Sequence, residues 1–126
     1  MKHIIFHSIA VSLFFMLPVL TYSQSTGMDV ALNKGNAADL GVFFAPTLDV
    51  SILNTDATMT SSQAVNTLAE FFTQNQVKSY NRAHLTAPQN GRSNYALGDL
   101  YTATGTYRVY LYFDGQKKIS EIRIQK

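Results

Sequence analysis

The stretch TSSQAVNTLAEFFTQN, residues 60–75, decides the fold. Thr60 and Gln63 stand three apart, the spacing at which each side chain satisfies a free backbone N–H at a helix start. Ala64, Val65, Leu68, Phe71 and Phe72 then recur at one-face helical spacing as far as Asn75. Two Phe on such a face belong to a core rather than to a ligand cage. A helix with one apolar face needs an apolar layer to cover it. The rest of the chain supplies that layer as strands.

Downstream, Val77–Thr86 reads as a long strand, with Tyr80, Arg82, His84 and Thr86 on one parity and Val77, Ala83 and Leu85 on the other. Pro88-Gln89-Asn90-Gly91 is a turn signal. Ser93–Thr102 follows as a second strand, in which Gly98 predicts a bulge or a sharp bend. Gly105 opens a third strand through Phe113, and Asp114-Gly115 predicts a hairpin into Gln116–Lys126. As a two-residue loop, Asp114-Gly115 sets Arg108 opposite Glu121, as a cross-strand ion pair, and Tyr107 opposite Ile122. A four-residue loop would oppose Arg108 to Arg123, a like-charge pair costing about a few tenths of a kcal/mol. The two-residue register is therefore expected. One face then carries Tyr107, Val109, Leu111, Phe113, Ile122 and Ile124, and the other Arg108, Tyr110, Tyr112, Ile119, Glu121 and Arg123. That second face is aromatic and amphipathic, so Arg108, Tyr110, Tyr112 and Ile119 are the candidate interface residues, with a homodimer as the expected use.

Upstream, Met28–Phe44 reads as one helix, with Thr26 and Asp29 as a box-like cap and Gly35 as a close-packing contact inside it. Pro46 stops this helix. Thr47–Leu53 alternates as a strand, Asn54-Thr55-Asp56 turns, and Thr58-Met59 is a short extended piece.

The first residues carry an address. Met1-Lys2-His3 is a basic start, Ile4–Leu20 is almost unbroken apolar sequence, and Thr21-Tyr22-Ser23 offers small side chains before a cut. This is the layout of a secretory signal peptide over residues 1–23, cleaved after Ser23. A retained span fits less well, because His7, Ser8, Ser12 and Pro18 interrupt the run and no basic stop-transfer cluster follows. The expected product is a periplasmic or cell-envelope soluble protein, residues 24–126, forming a single domain. Nine basic against eight acidic residues leave this part a net charge of +1. Its bases are scattered, so nucleic-acid binding has no clustered footprint beyond Lys117-Lys118. No cysteine is present, and stability must come from packing.

Helix, strand with a short extended piece, helix and four antiparallel strands is the order of an α+β fold, a highly curved antiparallel sheet wrapped around helices. The chain resembles the nuclear transport factor 2-like superfamily, a cone-shaped fold. More narrowly it resembles an uncharacterised family of exported bacterial proteins described as a domain of unknown function. The residues carrying the resemblance are Gly35-Asn36-Ala37, Ser62-Gln63-Ala64 leading to Phe71-Phe72, His84, Gly98-x-Leu100-x-Thr102 and Gly105-Thr106-Tyr107-Arg108-Val109. The resemblance covers nearly all of residues 24–126. It implies a pocket between sheet and helices, here a modest apolar one open to a small apolar ligand. It implies no chemistry, since the superfamily holds isomerases, dehydratases and non-catalytic binding modules.

The residues themselves point to no metal or cofactor. One histidine and no cysteine remain after residue 23, too few for a zinc site. Phosphate-loop and serine-nucleophile motifs are missing. Acid–base candidates are His84, Asp99, Tyr80, Tyr95, Tyr101 and Asp49, with His84 as base and Asp99 or Tyr101 in support. Each also has a plainer role: His84 on a half-exposed strand, Asp99 bonded to Arg82 or Arg92. The reading reached from sequence is an exported non-catalytic binding or interaction module. A small-molecule isomerase or lyase using His84 with Asp99 or a Tyr is the alternative, and an envelope accessory protein a third class.

Overall fold

Lys34-Gly35-Asn36 ends the N-terminal helix. Gly35 lies at φ +64°, its N–H donates to Leu32 O at 3.1 Å, and the Asn36 N–H reaches Ala31 O at 2.9 Å. This paired closure satisfies the last free carbonyls and calls for glycine at the left-handed position. The computed structural model describes residues 23–86 and 94–126. In it α1 spans Ser23–Lys34, α2 Ala37–Gly41 and α3 Ser61–Gln74. The single helix expected over Met28–Phe44 is thus two, and Gly35 is its break rather than an interior contact. Thr26 lies inside α1 instead of capping it, because the helix already begins at Ser23. Asn36 caps α2, its Oδ1 accepting the Asp39 N–H at 3.0 Å. Of the signal peptide expected over residues 1–23, residues 1–22 lie outside the described residues, as does the Pro88–Gly91 turn.

Six strands follow: β1 Phe44–Ile52, β2 Thr55–Thr60, β3 Val77–Leu85, β4 Asn94–Thr102, β5 Gly105–Phe113 and β6 Ile119–Gln125. They form one sheet in the order β2-β1-β6-β5-β4-β3. Every neighbouring pair is antiparallel except β1 and β6, which run parallel. Pro46 sits inside β1, where the ladder to β6 is irregular between Phe44 and Asp49 and a missing N–H costs no regular bond.

Helix α3 behaves as its sequence demands. The Thr60 and Gln63 side chains exchange hydrogen bonds with each other's backbone N–H, and Ala64, Leu68, Phe71 and Phe72 are buried. They meet an inner sheet face built from Val50, Leu100, Val109, Leu111, Ile122 and Ile124, all fully buried. Phe71 packs edge-on to Tyr107 at 5.3 Å between ring centres. Burial of several such side chains, at about 1.5–3 kcal/mol each, is the main force holding helix to sheet.

The β5–β6 connection corrects the expected hairpin. Arg108 pairs with Gln125, Tyr110 with Arg123 and Tyr112 with Glu121, so Arg108 does not face Glu121. The loop runs from Asp114 to Lys118 because the Asp114 carboxylate accepts the N–H groups of Gln116 at 2.8 Å and Lys118 at 2.9 Å. Lys117 adopts φ +65° in the same turn. A bulge at the Tyr112–Phe113 step turns Ile119 inward, where it is 0% exposed and its N–H donates to Phe43 O at 2.8 Å. Ile119 is a core residue and leaves the candidate interface.

Candidate functional site

Alternation on β3 to β6 gives the sheet an outer face, turned away from the helices, whose side chains fall into rows across the strands. One row is Asn81, Asp99, Arg108 and Gln125; the next is His84, Leu97, Tyr110 and Arg123; the third is Tyr95, Tyr112 and Glu121. Register shifts in β3 between Val77 and Ser79 and between Arg82 and His84 let His84 join the outer face while Tyr80 and Arg82 point inward. The parity expected for β3, with Tyr80, Arg82 and His84 together, is broken there.

Aromatic rings touch in sequence across this face. His84 lies 5.7 Å from Tyr95, Tyr95 lies 5.7 Å from Tyr112, and Tyr112 stacks on Tyr110 at 6.3 Å with 10° between planes. The Arg123 guanidinium stands 5.8 Å from the centre of the Tyr112 ring. Ion pairs flank the rings: Arg108 with Asp99 at 3.3 Å and Arg123 with Glu121 at 2.6 Å. The Glu121 hydrogen bond raises the Arg123 pKa further, keeping that side chain charged at any working pH.

The acid–base candidates do not converge. His84 is exposed and rests on Tyr95; Asp99 is held by Arg108 rather than by Arg82, and Arg92 lies outside the described residues. Tyr101 is exposed on the outer face, and Asp49 accepts the Thr58 hydroxyl at 2.7 Å. Tyr80 alone faces inward, its hydroxyl against Gly98, where an added Cβ would lie 2.3 Å from that oxygen. Burial, then the Asp29 charge, push the Tyr80 phenol well above its ordinary pKa. Gly98 therefore makes room for a ring, while the bulge it predicted sits on the neighbouring strand. Between sheet and helices the buried side chains, Leu32, Leu68, Leu100 and Ile122 among them, form one apolar cluster. Surface depressions occur elsewhere, one of about 460 Å³ at Thr58, Met59, Gln63, Asn66 and Thr67. Among the described residues no His, Cys, Asp and Glu side chains gather as a metal-binding group, and no helix is long and apolar enough to cross a membrane.

Two groupings escaped sequence reading. On the inner side Arg82 pairs with Asp29 of α1 at 3.5 Å, and Asn33 Oδ1 accepts the Tyr80 N–H at 2.9 Å. Burial raises the Asp29 pKa and Arg82 partly opposes the rise. At the end of α3 buried Asn75 donates to Phe71 O, while its Oδ1 accepts from Thr104 at 2.5 Å and Tyr107 at 3.2 Å. This ties the helix to the β4–β5 turn. An Asn just past an apolar helix was its only sequence signal.

A family model described as "Domain of unknown function (DUF4783)" matches residues 26–125. Among solved structures, a DUF4783 family protein from Bacteroides fragilis YCH46 is 33% identical, with 79% of this chain and 95% of that chain covered and a TM-score of 0.72. One from Bacteroides uniformis ATCC 8492 is 30% identical over 80% and 94%, at a TM-score of 0.71. An NTF2-like protein of unknown function from Cytophaga hutchinsonii shares 12% identity over 87% and 92%, at 0.57, and speaks for the fold alone. The search of curated proteins finds no match. With nearly every described residue inside the match, the chain belongs to the DUF4783 family and has a nuclear transport factor 2-like fold.

Proposed function

We propose that this chain is an exported, non-catalytic interaction module whose working surface is the outer face of the sheet. The observation that carries the reading is the unbroken line of rings from His84 through Tyr95 and Tyr112 to Tyr110. Single exposed tyrosines are ordinary on a solvated sheet. A touching row with Leu97 set between and arginines beside it has the composition of an interface centre. Export rests on the basic start, apolar run and small-residue exit of residues 1–23. The isomerase or lyase alternative draws no support from the site, because a general base works within hydrogen-bond reach of its partners in a water-poor pocket. His84 and Asp99 stand on an open face with other partners.

A photo-crosslinking residue at Tyr110, compared with one at exposed Glu70 on α3, tests the surface. In expressing cells the Tyr110 position should give a discrete adduct and the Glu70 position none. Equal labelling, or none at Tyr110, would remove the outer face as the working surface. The mass of the released protein tests the address: an N-terminus near Gln24 is expected, and intact Met1–Lys126 in the membrane fraction would refute export.

A further inference from the structure

The two edges of the sheet are β3 and β2, and they are finished differently. Strand β3 carries the usual defences of an edge. It has two register shifts and the cations Lys78 and Arg82, and α1 lies against it. Asn33 of α1 takes the outward Tyr80 N–H at 2.9 Å. Strand β2 has none of these. Its six residues, Thr55-Asp56-Ala57-Thr58-Met59-Thr60, include no proline and no lysine, and they pair with β1 without a shift. All but Met59 are exposed.

Alternation of the ladder decides which groups of β2 are open. The Leu53 N–H goes to Ile124 O of β6 at 2.9 Å, so Ile52, Val50 and Leu48 turn their bonds to β2. Their partners Thr55, Ala57 and Met59 are thereby taken. Asp56, Thr58 and Thr60 direct their N–H and C=O groups to the open side, and the Thr60 N–H is closed off by Gln63 Oε1 at 3.0 Å. Asp56 and Thr58 remain, each with a backbone donor and acceptor on exposed, extended chain.

We infer that β2 docks an extended peptide of another protein, added antiparallel as a further strand of the sheet. An antiparallel neighbour exchanges both bonds with each of Asp56 and Thr58. Residues directly opposite share a face, which fixes the chemistry of the peptide. Ala57 and Met59 lie on the inner face, opposite buried Val50 and Leu48. The peptide residue opposite Met59 therefore falls over the depression lined by Thr58, Met59, Gln63, Asn66 and Thr67. No charged side chain lines it, and the Thr67 hydroxyl is engaged by Gln63 O at 2.9 Å and the Met59 sulfur at 3.4 Å. That seat takes an uncharged aliphatic side chain. On the outer face Asp56 is the only charge of β2, and Thr58 holds Asp49 at 2.7 Å. The residue opposite Asp56 is therefore basic. From its N-terminus the docked peptide runs aliphatic, polar, aliphatic, basic, opposite Met59, Thr58, Ala57 and Asp56 in turn. A second copy of β2 fits badly, because it sets Asp56 opposite itself or opposite Thr58 beside Asp49. Strand β1 separates this edge from the row of rings, so either surface can fail its test alone.

The test is isothermal calorimetry on protein purified as expressing cells release it, with acetyl-Thr-Leu-Thr-Val-Lys-Thr-amide as the probe. Micromolar binding is expected. N-methylation of the third and fifth probe residues removes the N–H groups that meet Thr58 and Asp56, and should weaken binding about tenfold or more. N-methylation of the second and fourth, whose N–H groups face away, should leave it unchanged. Glutamate in place of the probe's lysine should weaken binding about threefold or more, and Asp56→Lys should restore it. In amide exchange the Asp56 and Thr58 N–H groups should gain protection when the probe is bound. No binding at millimolar probe, or equal losses from both methylation patterns, would overturn the docked strand. Protection of those two amides in the free protein, rising with its concentration, would replace the peptide by a second copy and overturn the inference.

Discussion

The Tyr80 hydroxyl is a buried oxygen without a hydrogen-bond partner among the described residues, pressed against the backbone of Gly98. An unsatisfied buried hydroxyl costs about 1–3 kcal/mol, so Tyr80→Phe should raise stability by about 1 kcal/mol in a denaturant titration. A loss of similar size would show that the oxygen has a partner. Gly98→Ala should instead cost about 1–3 kcal/mol, because the new methyl meets the ring. Beside this ring, Asp29 has a pKa raised by burial above its ordinary value of 3.8, against the pull of Arg82. Raised means the neutral acid is the form the fold prefers. Its stabilising contribution is full below pH 3.8 and is lost as pH rises through the folded value. Asp29→Asn should therefore flatten that part of the stability–pH curve, and an unchanged slope would contradict the assignment. Neither Asp29–Arg82 nor Tyr80–Gly98 was legible in the sequence. Each joins residues far apart in the chain, and the β3 bulges that bring Tyr80 and Arg82 inward leave no mark in the alternation of side chains.

Elements whose signals are local were read with their bounds nearly intact. The Thr60–Gln63 box and the Leu68-Phe71-Phe72 stripe specify α3 without help from the rest of the chain. Phe71→Ala should cost about 3–5 kcal/mol, since it leaves a cavity between helix and Tyr107. A cost below about 1 kcal/mol in the same titration would mean that the helix sits rotated from this face. Where tertiary contacts choose between local options, the reading failed. Asp114-Gly115 is a fair two-residue loop by composition, yet the carboxylate that favours a turn is the group that organises a longer one. The wider loop lets Ile119 bond to Phe43 and enter the core. Gly35 was a similar case: a tolerated interior residue by propensity, a helix terminator once Val77 packs against it.

The order of elements was enough to name the fold, because a helix with one apolar face and a run of strands has few ways to bury both. The closeness of the layers was not legible, since it depends on contacts between residues far apart in the chain. If the row of rings on the outer face is an interface centre, its consequence for the whole molecule is measurable without any variant. If the native state is the homodimer expected of this face, unfolding releases two chains, and mass action makes the melting temperature rise with protein concentration. For two chains of this size the unfolding enthalpy implies a rise of about 3–4 °C per tenfold increase in concentration. Calorimetry over a hundredfold range resolves such a slope, and Tyr110→Ser with Tyr112→Ser should abolish it while leaving the monomer's melting transition cooperative. A wild-type melting temperature independent of concentration would mean that each copy folds and melts alone, and that the tyrosine row meets something other than itself.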